Sequence, residues 1–470
     1  MLRSTSRPVY RLPPELISHI ARFVPGEYDD YTSSLIPLTH VCRFWRGSII
    51  STPEIWALIR HDRINLAKLS LERAKAAPLT ICLNLYELRD KREFLDLLLP
   101  HIKKIVSLTC HELSEADQLT RLLNFPKSMP NLRSLYLTEP VLVNPNQSVD
   151  SFDLNPTHTA LTELTLCGFP LVPSILGLTT LTEFVLLDRD FQLHIGVLLN
   201  FLEKNHSLKR ATLMTRIAEP SPGHSHRKTP IGNGLEHLSI SCNETANVRA
   251  LVSSIALQRG GALEILPFGS GARLADMISG ISTNHLPNLS SPVFMEYEPF
   301  PRKIRLAGPN GSFLYKCTSA KEAPLGEFPL LPLANIRKLC LKCHGSEIVE
   351  PFRLLLFPSL EVLAVSGSSG ASLLSPVLPD LATSPLKTLA LLDCVITEDF
   401  MMQLAQIALA HGNTSTPLHR VVIIDPEGEF IPRRRLNGSG SASQLWRWQR
   451  GINFRWICFE TVVHRVRCCG

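Results

Sequence analysis

The sequence predicts an α/β protein: a small helical domain at the N-terminus, followed by an irregular solenoid of parallel strands and helices. Two observations in the 470-residue chain predict it. Apolar residues in the first sixty positions recur at helical spacing. From about Ile105 onward, a short phrase of the form apolar-x-x-apolar-x-apolar returns at similar steps, between segments of helical spacing. We therefore expect domains at 1–65 and 66–432, and a flexible basic tail at 433–470.

The first helix has a clear start and a clear end. Pro13 and Pro14 fit a first helical turn, where no backbone N–H is needed, and Glu15 suits the positive end of the helix dipole. Helical spacing then gives one apolar stripe, which consists of Leu16, Ile17, Ile20 and Phe23. The next segment, SLIPLTHVCRFWRGSIIS, carries a second helical pattern with Leu38, Val41, Cys42 and Trp45 close to one face.

Three pieces of this region, LPPELISHIARFV, LTHVCRFWRGSI and PEIW, resemble in type and order the pattern of an F-box. The resemblance implies a small helical domain that docks on a SKP-type adaptor, which in turn binds a cullin-RING ubiquitin ligase. It also implies that Trp56 mainly fills the core of the domain itself. The residues that it implies for adaptor contact are Leu12, Pro13, Leu16, Ile20, Val41, Cys42 and Trp45.

The apolar phrase occurs ten times after the first helical domain. It starts at Leu132, Leu161, Leu181, Leu208, Leu235, Leu263, Ile336, Leu360, Leu386 and Leu418. The steps cluster around the leucine-rich-repeat period of 20 to 29 residues. One such unit cannot bury its apolar face alone, so neighbouring units must stack into one continuous core. Asn243 and Cys394 fall where this repeat places a side chain that satisfies backbone groups at the turn after the strand.

Residues 267–335 break the regular spacing. Their segment PVFMEYEPFPRKIRLAGPNGSFLYKC predicts strands joined by a Gly-Pro-Asn-Gly turn. The segment either interrupts the solenoid or contains one or two degenerate repeats.

The side chains between the buried leucines are expected to point outward along a concave strand face. They are Ser134, Tyr136, Glu163, Thr165, Arg210, Thr212, His237, Ser239, Lys338 and Lys342. Substrate contacts are a hypothesis for five of them: Tyr136, Glu163, Arg210, His237 and Lys338.

The order of a helical F-box-like domain and leucine-rich repeats resembles the F-box proteins of mushroom-forming fungi. That resemblance implies a substrate-recruiting adaptor of an SCF-type ubiquitin ligase, not an enzyme, that acts in the cytoplasm or the nucleus. Its expected partners are the SKP-type adaptor, the cullin and a protein substrate. The alternative is a leucine-rich-repeat scaffold that acts independently of ubiquitination and whose first sixty residues cap the solenoid.

The charge distribution argues against specific nucleic-acid binding. The formal net charge is +6, but residues 433–470 hold eight arginines and one acid, Glu460. The rest of the chain keeps 40 of the 48 basic and 41 of the 42 acidic residues and is close to neutral. We also expect no membrane span, because no stretch of about twenty apolar residues occurs.

The segment Cys340-Leu341-Lys342-Cys343-His344 matches the CxxCH pattern of haem attachment, and CxxC alone suggests zinc or redox chemistry. It lies inside a predicted strand, where residues three apart fall on opposite faces. We therefore expect neither a metal nor a cofactor, and we interpret most of the twelve cysteines as reduced, buried thiols.

Overall fold

The computed structural model is a mixed α/β structure, in which strands form where apolar residues alternate and helices form where apolar residues recur at helical spacing. It describes residues 12–23, 31–60, 64–84, 91–111, 129–138, 160–169, 175–218, 234–241, 245–267, 274–278, 286, 289–298, 302–317, 331–343, 354–377, 380, 384–394, 396, 399–400, 402–404, 406, 418, 420–424 and 453–454. Asn243, His344 and nearly all of the basic tail lie outside these residues. The chain divides into two units, Met1–Leu193 with Asn200–Arg216, and His194–Leu199 with Ile217–Gly470.

Three short helices begin the first unit: α1 (Pro14–Phe23), α2 (Tyr31–Thr39) and α3 (Arg43–Ile50). The second helical pattern predicted from the sequence is therefore two helices. Cys42 breaks it, because its backbone is extended (φ −164°, ψ 171°) and its thiol accepts a hydrogen bond from the Trp45 backbone N–H at 3.5 Å. This is the position and the role of a helix N-cap.

Strands and helices follow in the first unit: β1 (Leu58–Arg60), α4 (Ile64–Ala74), β2 (Leu79–Asn84), α5 (Lys91–Leu98), β3 (Ile105–His111), β4 (Ser134–Thr138) and β5 (Glu163–Cys167). The next three elements contain residues of both units: β6 (Glu183–His194), α6 (Ile195–Lys204) and β7 (Arg210–Ala218). Strands β1 to β6 pair in chain order, and each pairing is parallel. Because β1 pairs with β2, the sheet begins at the end of the helical segment.

The second unit contains β8 (His237–Ser241), α7 (Thr245–Ser254), β9 (Ala262–Ile265), α8 (Leu274–Ile278), β10 (Phe294–Glu298), β11 (Arg302–Gly308), β12 (Gly311–Cys317), β13 (Lys338–Lys342), β14 (Val362–Ser366), α9 (Gly370–Leu374), β15 (Thr388–Leu392), β16 (Arg420–Ile424) and β17 (Asn453–Phe454). Strands β13 to β17 pair in chain order and in parallel. The prediction of an α/β protein rich in parallel strands is confirmed.

The irregular segment forms a three-stranded antiparallel insertion. Strands β10, β11 and β12 pair antiparallel, and the predicted Gly-Pro-Asn-Gly turn joins Gly308 of β11 to Gly311 of β12. The outer two strands of the insertion pair in parallel with their other neighbours, β12 with β9 and β10 with β13. The spatial order is therefore β9, β12, β11, β10, β13.

The fourth and sixth positions of the phrases supply the core. Leu135 and Leu137 are buried in β4, and Leu339 and Leu341 are buried in β13. Because successive side chains of a strand point to opposite faces, the residues between them line the other face of the sheet.

One hydrogen-bond pattern recurs where the strands begin. The carbonyl oxygen of the second residue of a phrase accepts two hydrogen bonds, from the backbone N–H groups of the second and third residues of the next phrase. Arg133 accepts from Thr162 and Glu163 at 2.8 and 2.9 Å, and Arg337 accepts from Glu361 and Val362 at 2.9 Å each. The same bonds recur at Thr162, Thr182 and Glu361. Equivalent positions of successive phrases thus occupy equivalent places in the structure.

Candidate functional site

Five large apolar side chains of the helical segment are exposed. Phe23 is 74% exposed and Val41 is 53% exposed, and the others are Leu16, Ile20 and Phe44. They belong to α1, to α3 and to the residues just before α3. We call these five residues the apolar patch.

The apolar patch follows from the helical spacing of α1. Leu16, Ile20 and Phe23 lie at positions i, i+4 and i+7, which share one face of a helix. Ile17 and Ala21 lie on the opposite, buried side, and Ser18 joins them there. The Ser18 hydroxyl oxygen lies 2.9 Å from the Pro14 carbonyl oxygen and 2.9 Å from the Thr52 hydroxyl oxygen. A polar residue is thus accommodated inside the helical segment, while apolar residues remain outside.

The residues predicted for adaptor contact divide into two groups. Pro13, Leu16, Ile20 and Val41 are exposed, and Leu12 is half-buried. Cys42 is half-buried and caps α3. Trp45 is only 9% exposed, so most of its indole ring is covered by the protein itself. Trp45 therefore offers little surface to a partner.

Phe44 belongs to the apolar patch in place of Trp45, and the sequence analysis did not select it. Helix α3 begins at Arg43, and this start turns Trp45 inward and leaves Phe44 outward. The adjacent aromatic residues were a signal, because neighbouring helical positions point about 100° apart and two large rings are therefore seldom covered equally. Phe23 belongs to the predicted apolar stripe of α1 but not to the residues predicted for adaptor contact.

Trp56 fills the interior, as expected. It is fully buried, and its indole N–H donates a hydrogen bond to the Ile49 carbonyl oxygen at 2.9 Å.

In the first unit, the outward sheet face carries a polar and aromatic row on neighbouring strands. Tyr136 on β4 pairs in register with Thr165 on β5, and its ring lies 5.5 Å from the His111 ring on β3. Glu163 is exposed on β5. Arg210 donates a hydrogen bond from Nε to Glu183 Oε2 at 3.0 Å. Tyr136 and Glu163 thus lie on neighbouring strands, two register positions apart. Arg210 is held by an acid outside the predicted set.

In the second unit, His237 and Lys338 do not meet. They occupy the same register row, but β9, β12, β11 and β10 lie between their strands. At about 4.8 Å per strand, five strand steps separate them by roughly 24 Å. His237 Nε2 instead lies 3.6 Å from Glu264 Oε2. The two residues cannot form one small binding site.

The insertion creates a charged cluster that the sequence analysis missed. Glu296 Oε1 of β10 lies 2.7 Å from Lys342 Nζ and 3.1 Å from Lys303 Nζ. Two further groups extend the cluster: Glu298 Oε2 lies 3.9 Å from Lys303 Nζ, and Arg305 Nη1 lies 4.0 Å from Glu296 Oε2. The signal is the alternation of charged and apolar residues in FMEYE and KIRLA, which the prediction of an irregular segment does not use.

The ion pairs of Glu296 and its burial shift the pKa of its carboxyl group in opposite directions. Burial raises the pKa of this carboxyl group, but hydrogen bonds and charges from Lys342 and Lys303 outweigh burial and leave the pKa below its ordinary value. The pKa of Lys342 is raised, because hydrogen bonding and attraction to Glu296 exceed the opposing effect of burial. Both groups are therefore charged at neutral pH.

The CxxC segment shows the arrangement expected from strand geometry. Cys340 lies on the outward row beside Glu296, whereas Cys343 is buried behind the end of β13. Burial raises the pKa of both thiols to about 11. Thiolates are the metal ligands and nucleophiles of cysteine chemistry, and burial disfavours them here. Within the residues that the structure describes, no cluster of three or more His, Cys, Asp or Glu could hold a metal ion.

Cys394 takes the predicted turn position after β15. Its thiol lies 3.4 Å from the Val365 carbonyl oxygen and 3.3 Å from the Leu392 carbonyl oxygen, so it satisfies backbone groups there.

No helix in the described part of the chain combines the length and the apolar character needed to cross a bilayer. Comparison with protein-family models gives no match for this chain, and comparison with curated proteins gives no match either.

Proposed function

We propose that this protein is a substrate-recruiting adaptor of an SCF-type ubiquitin ligase. Its helical segment acts as an F-box that docks on a SKP-type adaptor, and its leucine-rich repeats bind a protein substrate. The apolar patch carries the proposal. Of the nine large apolar side chains found exposed in the described residues, these five lie within residues 16–44.

A soluble protein seldom leaves such residues uncovered without an interaction to cover them. Full burial of one large apolar side chain contributes about 1.5–3 kcal/mol. The loss of translational and rotational freedom on association costs several kcal/mol, so a few anchors are needed to hold a partner. The five residues of the apolar patch supply that number. In this proposal, Leu12, Pro13, Leu16, Ile20 and Val41 keep their adaptor role, Cys42 and Trp45 shape α3, and Phe23 and Phe44 join the contacts.

The test is binding of purified full-length chain to a purified SKP-type adaptor by biolayer interferometry. We expect the Phe23→Ser, Phe44→Ser double variant to bind at least tenfold more weakly, because two exposed anchors are lost. Leu355→Ser is the matched control, since Leu355 is 73% exposed in the second unit. Undiminished binding by the double variant, or no binding by the wild-type chain, contradicts the proposal.

A second candidate is the scaffold in which the helical segment only caps the repeats. One observation favours it: Trp56 and β1 connect the helical segment to the first repeat, since the Arg73 guanidinium of α4 covers the Trp56 ring. Deletion of residues 1–60 cannot separate the two functions, because it removes Trp56 and β1 together. The surface variants separate them, since a cap predicts unchanged partners after Phe23→Ser and Phe44→Ser.

A further inference from the structure

One continuous face of the insertion and β13 carries five cations. Register places Lys303 opposite Lys316, Arg305 opposite Glu296, and Glu296 opposite Cys340. Directly opposed residues of paired strands point to the same side of the sheet. We call the five cations on this side the basic face: Lys303, Arg305, Lys316, Lys338 and Lys342.

The acids of this region lie beneath the cations. The side chain of Glu296 is 9% exposed and that of Glu298 is 16% exposed, whereas that of Arg305 is 51% exposed. Lys316 and Lys338 are exposed as well. The two carboxylates therefore neutralise charge at the level of the sheet, and the outermost groups are positive. The nearest other acid on this side, Glu264 of β9, is directed to His237.

Two of the cations have no acidic partner in the described part of the chain. Lys303 forms ion pairs with Glu296 and Glu298. Lys316 lies directly opposite Lys303 in the register, so its neighbour carries a like charge. Like charges directly opposite on a sheet are destabilising, and an added anion relieves that repulsion. Lys338 begins β13 at the other end of the basic face, without an ion pair among the described residues.

The size of the basic face defines the ligand. Lys316 and Lys338 are three strands apart and four positions apart along the strands, which corresponds to roughly 20 Å. An extended peptide of six to eight residues covers about that distance. A single small anion does not.

We propose that the basic face binds an extended acidic segment of the recruited protein, whose carboxylate or phosphate groups lie against Arg305, Lys316 and Lys338. This inference rests on the proposed function, because it names the class of substrate that the repeats take. Complementary charge attracts the segment and fixes its orientation, so weakening by salt is expected. Lys338 keeps its predicted substrate contact, and the other cations are new.

Fluorescence anisotropy with the full-length chain tests the proposal. Three labelled octapeptides are compared that differ only at four alternate positions, which carry glutamate, phosphoserine or glutamine. We expect one or both acidic peptides to bind at least tenfold more tightly than the glutamine peptide, and the tighter one identifies the anionic group. The Lys316→Glu, Lys338→Glu variant should weaken acidic-peptide binding at least tenfold. The control, Lys204→Glu with Arg249→Glu, changes net charge equally at exposed positions on α6 and α7.

Three results overturn the proposal: equal binding of all peptides, equal weakening in the control, or tighter binding of an eight-nucleotide single strand than of either acidic peptide. Adaptor binding is measured in the same variants. The Lys316→Glu, Lys338→Glu variant should keep the adaptor, and the Phe23→Ser, Phe44→Ser variant should keep the peptide. A wild-type chain that binds the adaptor but does not prefer acidic peptides overturns this inference alone, and a wild-type chain that prefers acidic peptides but does not bind the adaptor overturns the proposed function alone.

Discussion

The guanidinium group of Arg73 lies 4.2 Å from the ring centroid of Trp56 and covers the indole. Trp56 follows the three N-terminal helices, and Arg73 belongs to the last turn of α4. The contact therefore joins the helical segment to the first α/β element of the unit. Burial lowers the pKa of Arg73, and the charge of Glu72 opposes that effect.

Removal of the Trp56 ring should destabilise the first unit more than removal of its cation. We expect Trp56→Ala to lower the free energy of unfolding by about 3–5 kcal/mol, because a fully buried ring and its hydrogen bond are lost. Arg73→Ala should cost about 0.5–2 kcal/mol, the range of a cation–π contact. Urea unfolding followed by fluorescence and circular dichroism measures both. Arg92→Ala, at an exposed position of α5, is the control, and a cost equal to that of Arg73→Ala speaks against the contact.

Glu296→Gln should destabilise the second unit at neutral pH. The amide leaves Lys342 and Lys303 without their closest acid, and we expect a cost of about 1–3 kcal/mol. Glu361→Gln is the matched control: its partner Lys387 lies at 3.1 Å, but both side chains are much more exposed. An exposed pair contributes under about 1 kcal/mol. Similar urea midpoints for the two variants would argue against a special role for Glu296.

The same variant has a defined pH dependence. Because the pKa of Glu296 is lowered in the folded protein, its ionisation stabilises the fold above the ordinary pKa of 4.5. That contribution disappears as the pH falls through the folded-state pKa. The difference in stability between wild type and Glu296→Gln should therefore be largest at neutral pH and should shrink below pH 4.5. If the difference in stability between wild type and Glu296→Gln instead grows as the pH falls, the lowered pKa of Glu296 is contradicted.

Gly367 should not tolerate a side chain. Its φ is +101°, and a Cβ atom there would overlap the carbonyl group of Cys343 on the neighbouring strand connection. We expect Gly367→Ala to lower the unfolding midpoint strongly or to prevent soluble expression. Gly47→Ala is the matched control, since nothing lies within 4 Å of its Cβ position in α3. It should be neutral or stabilising by up to about 1 kcal/mol, the helix preference of alanine.

The half-buried thiol of Cys340 and the buried thiol of Cys343 should resist alkylation in the native protein. With a pKa of about 11 for Cys340 and Cys343, about one thiol in a thousand is ionised at pH 8. Iodoacetamide should therefore label these positions slowly in buffer and rapidly in urea, as read by mass spectrometry of the peptides. Rapid labelling of native Cys343 would contradict its burial.

Much of the strand structure could be predicted from the sequence, because period-2 alternation fixes which side chains are buried. Leu339 and Leu341 are buried as that pattern predicts, and the residues Gly-Pro-Asn-Gly predict the turn between β11 and β12. The same pattern cannot show spatial order. Nothing in the sequence of β10 indicates that it pairs with β13 and leaves β12 to pair with β9, because pairing partners depend on the path of the connections.

The helical contacts were harder to predict for a different reason. Helical spacing persisted through Leu38, Val41, Cys42 and Trp45, although the chain leaves the helix between Thr39 and Arg43. A break of three residues rotates everything after it, so that Trp45 is buried while Phe44 is exposed. Conformation at a cap depends on local backbone angles, which apolar spacing does not encode.

The antiparallel insertion changes strand direction twice, once from β12 to β11 and once from β11 to β10. Two reversals cancel, so β13 continues with the same polarity as β9. A pair of reversed pairings therefore leaves the direction of the parallel strands on either side unchanged, whereas a single reversal would turn all later strands around. Because the number of reversals is even, the charged antiparallel strands leave the direction of the flanking parallel strands unchanged.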